Sequence, residues 1–397
     1  MKIGLLGCSP LPEPTQRFTN FAQLRTWSLL QFLREQHLEV SSFLVSDTAT
    51  HGWNVYEQHT VDALQDFCSG LDILISAGPF LPALMLDSIP QELPLWLDWP
   101  SDPLADLHAK KQVSSIEASD ISVVHEIVRA AFLRADAIGV ISQRQSLATL
   151  GQLLLLGLED IPISVVPIAY DFPFDSLSTQ TNHDDILIAG SMNTWLDMRR
   201  IMEALSKDGR RRIHLTGGGV SHFPEGEELL KQLQHDFPEL QYHGWLREAE
   251  LLNVLKKCRY STWLDQGEIE PLLGSRTRAL FAIWHGLKIF GSPQTELAQF
   301  LIEKKAMVPW NENIPISSVF DRLSELDPRH AQDICHQYFN PAVVYAPILR
   351  WLDSPLRIKK ASTDYPVLEN QRLRRQLRGI YASRTWKITN RIHRLLF

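Results

Sequence analysis

Two arginines, Arg276 and Arg278, have the residue types and spacing best suited to chemistry in this chain of 397 residues. They follow Gly274 and Ser275, where the pattern predicts that an apolar helix begins. A helix start presents unpaired backbone N–H groups and a positive dipole end, and guanidinium groups pair well with phosphate oxygens. The alternative is a solvated first turn, although cations there oppose the helix dipole. The spacing therefore favours a site for an anion such as a diphosphate.

Glycines and polar residues follow four successive predicted strands in the second half of the chain. Ligands of open parallel sheets bind beyond the carboxyl ends of the strands, so these loops are candidates for a binding site. The three consecutive glycines Gly217–Gly219 let a backbone approach a ligand closely, and packing in a tight turn explains them equally well. It is not the fingerprint of a nicotinamide-dependent enzyme, because no G-x-G-x-x-G follows the first strand. The four loops are Gly190–Trp195, Gly217–Gly219 with His222, Gly244–Trp245 and Asp265–Arg278.

Carboxylates cluster after a predicted strand of the first half, Leu95–Asp98. A carboxylate on such a loop can take a proton from a bound hydroxyl group. We rank Asp102 first for this role, ahead of Asp98 and Asp106. Asp102 suits the N-cap of a helix equally well, and both interpretations stay open at this point. Ser142–Gln145, after another predicted strand, is a further candidate for ligand contact.

Short apolar runs alternate with amphipathic segments in both halves of the chain, and this alternation predicts parallel, doubly wound sheets. We predict two Rossmann-like α/β domains, 1–175 and 180–340, facing each other across a cleft. A C-terminal segment, 341–397, is predicted to hold helices and a basic tail. The predicted strands are Lys2–Leu6, Val40–Val45, Ile73–Ser76, Leu95–Asp98, Ala137–Ile141, one within 160–174, Asp185–Ala189, Arg212–Thr216, Gln241–His243, Tyr260–Leu264 and Leu287–Phe290.

The composition is that of an ordinary globular protein, with 44% hydrophobic and 21% charged residues. Scattered cysteines without metal-type spacing indicate a reducing compartment and no structural zinc. The apolar run at the N-terminus is too short for the core of a signal peptide, and no run reaches the ~18 residues that span a bilayer.

Seven segments, in order along the chain, carry a resemblance to a known family. They are NFAQLRTWSLLQFLRE, LDWPSDPLADLHAK, RADAIGVISQRQ, AGSMNTWLD, HLTGGG, HGWLREAELLNVLKKCRY and EPLLGSRTRALFAIWHGLKIF with SPQTELA. Together they resemble bacterial glycosyltransferases of the GT-B fold, of the glycosyltransferase family 4 (group 1) type. The resemblance implies an enzyme of the hexosyltransferase type that needs neither metal nor cofactor. Such an enzyme moves a sugar from a nucleotide-sugar donor to a glycan or lipid-linked acceptor in cell-surface polysaccharide biosynthesis.

The same resemblance implies roles for individual positions. Glu270 would reach the donor sugar or ribose, and with Asp102 it is a candidate catalytic residue. Arg17, Arg25 and Asp98 are candidates for contact with the acceptor on the first domain. The positions that would bind the donor are Gly190, Ser191, Asn193, Gly217, Gly218, His222, Ser275, Arg276 and Arg278.

Two places depart from the family pattern. Phe281 stands where the family usually has an acidic residue, and Trp195 and Asp197 occupy the region of the usual Arg/Lys pair. Phe281 favours an alternative function: a catalytically degenerate glycosyltransferase-like protein that binds or scaffolds without turnover.

The tail carries a charge opposite to that of the rest of the chain. Asn370–Phe397 holds seven arginines, one lysine and no acid, so the remainder of a chain with net charge −7 carries −15. An acidic body is a poor partner for nucleic acid. The tail also resembles the ends of bacterial polysaccharide and lipopolysaccharide glycosyltransferases, and its apolar residues can share one face of a helix. That helix would either lie on an anionic membrane surface or pack back on the acidic body. We therefore expect a cytoplasmic protein, peripheral at the inner face of the cell membrane through residues 370–397.

Overall fold

The structure is a computed structural model. It describes residues 1–9, 21–46, 58–77, 83–113, 118–170, 184–190, 192–193, 195–209, 211–218, 225–246, 248–355 and 357–358. Met1–Ile358 forms one compact unit, and the basic tail lies outside the described residues.

The first half is built on a parallel sheet with helices on both faces. Its strands are β1 (Lys2–Ser9), β2 (Glu39–Ser46), β3 (Ile73–Ala77), β4 (Leu95–Trp99), β5 (Ala137–Val140) and β6 (Ile163–Val165). Its helices are α1 (Phe21–Glu35), α2 (Gln58–Cys68), α3 (Ala83–Ser88), α4 (Pro103–Val113), α5 (Ala118–Arg134) and α6 (Gln143–Leu155). The strand order is β2-β1-β3-β4-β5-β6.

Alternation along the strands gives this sheet two apolar faces, because successive side chains of a strand point to opposite sides. Leu5 and Ile75 join one buried cluster, whereas Leu6 and Leu74 join another. A parallel sheet that is covered on both faces needs strands that are apolar throughout, which is the pattern seen in the sequence.

The second half repeats the architecture. Its strands are β7 (Asp185–Ala189), β8 (Ile213–Thr216), β9 (Leu240–Gly244), β10 (Cys258–Trp263), β11 (Lys288–Gly291) and β12 (Met307–Pro309). Its helices are α7 (Met198–Ser206), α8 (Glu225–Asp236), α9 (Glu248–Leu255), α10 (Glu270–Leu273), α11 (Thr277–Trp284), α12 (Glu296–Glu303), α13 (Ile316–Ser324) and α14 (Pro328–Phe339). The parallel sheet has the order β12-β11-β10-β7-β8-β9.

The predicted fold class, two doubly wound α/β halves, is confirmed. The strand β12 was not predicted; it has only three residues and ends at a proline. The exact domain boundaries stay a prediction.

The chain then crosses back to the first half. Two short helices, α15 (Pro341–Val344) and α16 (Ala346–Leu352), bury Tyr345 and Ile348 in the same cluster as Leu5 and Trp96. The predicted helices after residue 340 are present, and they complete the core of the first half. Every helix in the described ranges is too short or too polar to cross a lipid bilayer.

Candidate functional site

Three glycine loops lie side by side at the carboxyl ends of β7, β8 and β9. Gly190 donates its N–H to the carbonyl of Thr216 at 3.0 Å, and Gly217 donates to the carbonyl of Gly244 at 2.7 Å. Gly217 has φ +95°, and a Cβ built there would lie 2.3 Å from the Gly190 oxygen. No side chain fits at this position, so close loop packing accounts for Gly217. The result is a wall of bare backbone at the edge of the sheet where ligands of such folds bind.

An exposed aromatic ring stands beside this wall. Trp245, directly after β9, is 52% exposed. A Cβ built on Gly218 would lie 3.6 Å from Trp245 Nε1 and 2.6 Å from the Tyr242 hydroxyl. The sequence analysis placed Gly244–Trp245 among the candidate loops but gave the tryptophan ring no role. Its position directly after a strand end is the signal that could have suggested one. A flat, accessible ring in such a place can stack on a planar ligand group.

The segment around Arg276 differs from its prediction. The expected acidic loop is the short helix α10, which begins at Glu270 with Pro271 at its start and ends at Leu273, with Gly274 as its C-cap. The following helix, α11, begins at Thr277 rather than at Ser275, and Arg276 is its N-cap. Proline at the first helical positions is favourable because its missing N–H has no partner there anyway.

Arg276 is held by carboxylates of the chain itself. Its Nε donates to Asp265 Oδ1 at 2.6 Å, and its Nη1 and Nη2 donate to the two Glu270 oxygens at 3.0 and 2.6 Å. Burial lowers the pKa of Arg276, but the two carboxylates more than offset this and leave it raised. Each guanidinium nitrogen already has an anionic partner, so Arg276 holds the side chains of Glu270 and Asp265 in place. A diphosphate contact by Arg276 stays a prediction, as does a contact of Glu270 with the donor.

Arg278 is the cation that the carboxylates leave unpaired. Its side chain is partly exposed, and Nη2 would lie 3.4 Å from a Cβ built on Gly190. Within the described part of the chain it makes no hydrogen bond and no ion pair. Burial and the neighbouring Arg276 lower the pKa of Arg278 to about 10. A desolvated cation without a partner is costly, so an anion bound here would be stabilised.

The other predicted donor positions divide into two groups. Asn193 and Ser275 are half-buried at the same edge of the sheet, near Gly190 and the start of α11 respectively. Ser191 and His222 lie outside the described residues, as does Arg17 of the predicted acceptor set.

Arg25 and Asp98 form a buried ion pair in the interior of the first half. Their side chains are each 1% exposed. Arg25 also donates to the carbonyl oxygens of Val166 and Pro167, each at 2.7 Å. The pair therefore ties α1 and β4 to the segment after β6. The pair is buried and its groups bond to the chain itself, and acceptor contact by Arg25 and Asp98 stays a prediction.

Asp102 caps a helix. Its Oδ1 accepts the N–H groups of Leu104 and Ala105 at 2.8 and 3.4 Å, and its Oδ2 accepts from Gln152 Nε2 at 2.8 Å. The residue is 4% exposed. Of the two interpretations open from the sequence, the structure supports capping. Both oxygens are engaged and buried in this role, and proton acceptance by Asp102 stays a prediction.

The start of α6 in the first half contacts α12 in the second half. Glu296 accepts the N–H groups of Gln143 and Arg144 at the start of α6, each at 3.0 Å. Arg144 donates in return to the Gln294 carbonyl and to Gln299 Oε1, both at 2.6 Å. The predicted ligand contact of this loop is therefore a contact between the halves of the molecule. We call these contacts between α6 and α12 the clasp.

The described residues include no group of three or more His, Cys, Asp or Glu side chains that could hold a metal ion. Phe281 packs edge-on against the His285 ring, with 4.6 Å between their centroids. The face of α11 that carries Phe281 and His285 is therefore aromatic.

The comparisons bear on the fold. No family model and no curated protein matches the chain. Among solved structures, sucrose-phosphate synthase from Thermosynechococcus elongatus is 14% identical, covers 89% of this chain and 100% of its own, and superposes with a TM-score of 0.63. Anabaena HepE in complex with UDP-glucose is 16% identical, with coverages of 89% and 100% and a TM-score of 0.58. The lipopolysaccharide outer core galactosyltransferase WaaB is 13% identical, with coverages of 90% and 100% and a TM-score of 0.55. The chain has the GT-B fold of these glycosyltransferases, as its motifs led us to expect.

Proposed function

We propose that the protein is a glycosyltransferase that moves a sugar from a nucleotide-sugar donor to a glycan or lipid-linked acceptor in cell-surface polysaccharide biosynthesis. One observation carries the proposal: Arg278, a partly exposed cation to which no described residue is hydrogen-bonded or ion-paired, stands at the start of α11 and against Gly190. In a parallel sheet this is the edge where a ligand binds. The GT-B fold supports the proposal, because HepE was solved with UDP and glucose.

The donor diphosphate would lie between the Gly190 loop and the first turn of α11. Transfer breaks the bond between the sugar C1 and a diphosphate oxygen, and negative charge grows on the leaving diphosphate. Arg278 and the amides of the helix start are fixed beside that charge, where preorganised dipoles and cations lower the barrier most. We propose that this cation serves in place of a metal ion, so chelators should leave transfer intact.

The nucleobase would stack on Trp245. The ring is exposed, and Gly218 beside it offers no side chain that would exclude a ligand. UDP is the first candidate, because HepE and an α-glucosyltransferase were both solved with it.

Calorimetric titration with UDP and UDP-sugars tests the donor site, with Arg278→Gln as the variant and Arg199→Gln as its control. Arg199 is an exposed arginine of the same half, paired with Asp236. Losing charge-assisted hydrogen bonds worth about 1.5–3 kcal/mol should weaken binding roughly 10- to 100-fold in R278Q. R199Q should bind as the native chain does. Equal affinity in R278Q and R199Q would refute the proposed site.

Release of nucleoside diphosphate from a panel of nucleotide sugars then separates the two functions. Release in the presence of glycan acceptors supports the transferase. Tight binding without release would favour the degenerate binding protein that Phe281 suggested.

Membrane attachment is the last part of the proposal. We place the protein in the cytoplasm, on the anionic inner face of the membrane, through residues 370–397, which lie outside the described residues. Helix α6 supports this, because its residues 145–155 include no charge and its leucines 147, 150, 154 and 155 are 70%, 37%, 56% and 88% exposed. Exposed apolar groups of this kind mark interaction surfaces.

Co-sedimentation with vesicles rich in phosphatidylglycerol, compared with pure phosphatidylcholine, measures the attachment. We expect binding to the anionic vesicles only, and its loss in a chain that ends at residue 369. Unchanged sedimentation of that shortened chain would show that the tail is not the anchor.

A further inference from the structure

Three titratable side chains outside the cluster around Arg276 form a line of hydrogen bonds across the second sheet. Asp185 lies on β7, His214 on β8 and His243 on β9. His214 Nε2 lies 3.0 Å from Asp185 Oδ2, and His214 Nδ1 lies 2.9 Å from His243 Nε2. The side chain of His214 is 1% exposed, so both of its ring nitrogens depend on these partners. We call Asp185, His214 and His243 the relay.

The relay ends at an irregularity between β8 and β9. Thr216 pairs with Gly244 instead of with His243, so His243 is the extra residue of a β-bulge. A bulged residue is left out of the ladder of backbone hydrogen bonds, and bulges next to functional sites redirect the chain that follows. The bond between the rings of His243 and His214 therefore supplies an attachment to β8 that the ladder lacks at this position.

The bulge sets the position of two residues of the proposed nucleotide site. Gly244 follows His243 with φ +67°, and its carbonyl accepts the N–H of Gly217 at 2.7 Å. Trp245, the next residue, carries the exposed ring that is proposed to stack on the nucleobase. His243 is therefore a positioning residue, because it would act on a ligand through Gly244 and Trp245.

The hydrogen bonds limit how many protons the relay can hold. A carboxylate only accepts, so His214 Nε2 carries a hydrogen and donates it to Asp185. One hydrogen lies between the two rings: His243 donates it when His214 is neutral, and His214 donates it when His214 is charged. With both rings charged, two N–H groups would face each other across the same 2.9 Å, and the bond would be lost. The relay therefore keeps this bond with one extra proton and loses it with two.

The surroundings of His243 disfavour the second proton while the loop is held. Burial lowers the pKa of His243 most, followed by His214 on β8 and Lys257 between α9 and β10. At the other end of the relay, burial and Asp185 raise the pKa of the Cys258 thiol to about 12, so that thiol stays uncharged. A histidine released from these contacts takes up a proton at about pH 6.5. Below that pH the released loop binds more protons than the held loop, so acid favours release.

We propose that the relay holds the Gly244–Trp245 loop in place for the nucleotide and releases it when a second proton binds. The inference rests on the proposed function and adds a regulation of the same site by pH. The proton comes from the solvent, and no covalent bond changes. The protein then binds its donor at neutral pH and releases it as its surroundings become acidic.

Calorimetric titration with UDP-glucose from pH 8 to pH 5 tests the relay. UDP-glucose suits the test because its diphosphate is esterified at both ends and does not titrate in this range. In the native chain Kd should rise below about pH 6.5, by up to tenfold per pH unit when release takes up one proton. His243→Gln should remove this rise and keep the affinity of pH 8, because the glutamine Nε2 can donate to His214 and takes up no proton. His243→Ala lacks the bond at every pH and should bind about 2- to 10-fold more weakly at pH 8.

His235→Gln is the matched control, because His235 is an exposed histidine of the same half. H235Q should keep the native dependence on pH, and both glutamine variants should keep the native thermal midpoint at pH 8. Histidine ¹⁵N NMR of the native chain gives a readout that needs no substitution. The second protonation should follow the loss of affinity, and UDP-glucose should shift it to lower pH, because the coupling of two binding events is reciprocal.

The outcomes separate the relay from the proposed function. If H243Q loses affinity in acid as steeply as the native chain, or if UDP-glucose leaves the histidine titration unchanged although it binds, the relay does not control the loop and the proposed function stands. If the native chain binds no nucleotide sugar at pH 8, the proposed function fails and the relay has no ligand to regulate.

Discussion

Replacing Arg276 by methionine should destabilise the protein rather than merely weaken donor binding. The guanidinium makes three charge-assisted hydrogen bonds of 2.6–3.0 Å to Asp265 and Glu270. The arginine, aspartate and glutamate side chains are 2%, 0% and 6% exposed. Removing one partner of such a buried group leaves uncompensated charge, which costs about 3–5 kcal/mol. We expect a loss of that size in the free energy of unfolding at pH 8.

The loss should depend on pH. Burial raises the pKa of Asp265, and Arg276 acts in the opposite direction. In R276M that opposing effect is absent, so the folded pKa of Asp265 rises further above the unfolded value of about 3.9. When the pKa of a group is higher in the folded than in the unfolded state, protonation of that group stabilises the folded protein. The deficit of R276M relative to the native chain is therefore greatest above the folded pKa and shrinks as the pH falls through it.

Urea denaturation followed by tryptophan fluorescence, from pH 5 to pH 8, measures both effects. Arg278→Met is the matched control, because it removes a neighbouring guanidinium that makes no ion pair in the described part of the chain. R278M should be at least as stable as the native chain, because it removes a desolvated cation, and it should lose affinity for UDP. If R276M is within about 1 kcal/mol of the native chain at pH 8, the buried cluster does not have the role assigned to it.

Two further outcomes test the framework of the site. Gly217→Ala should lower stability by at least ~1–3 kcal/mol and impair UDP binding, because its Cβ meets the Gly190 oxygen at a positive φ. Gly151→Ala, on α6 with nothing within 4 Å, should instead raise the thermal midpoint slightly, and a loss there comparable to that of G217A would contradict the packing argument. Arg144→Ala should weaken the clasp by about 1 kcal/mol and widen the particle in small-angle scattering, while leaving UDP affinity intact. An unchanged scattering profile would show that Arg144 does not hold the halves together.

The fold could be predicted from the sequence because each strand of a covered parallel sheet is an apolar run, and these runs can be counted. The site could be predicted only in part. Arg276 and Arg278 are alike in sequence, and what separates them is that Asp265 and Glu270, eleven and six positions away, bind only Arg276. Arg25 and Asp98 are 73 positions apart, so their pairing depends on tertiary structure. The sequence placed Asp98, Asp102 and Asp106 after one strand, but it did not show which of these carboxylates caps the helix.

The crossing of the chain after α14 has a consequence for biosynthesis. One apolar side of the first sheet, which includes Leu5 and Trp96, is closed by Tyr345 and Ile348. During synthesis the N-terminal half emerges first, yet its covering helices are translated only after the entire second half. The apolar face of the first sheet therefore stays exposed to solvent until α16, which ends at Leu352, has left the ribosome. Fragments that stop near residue 175 should aggregate or recruit chaperones.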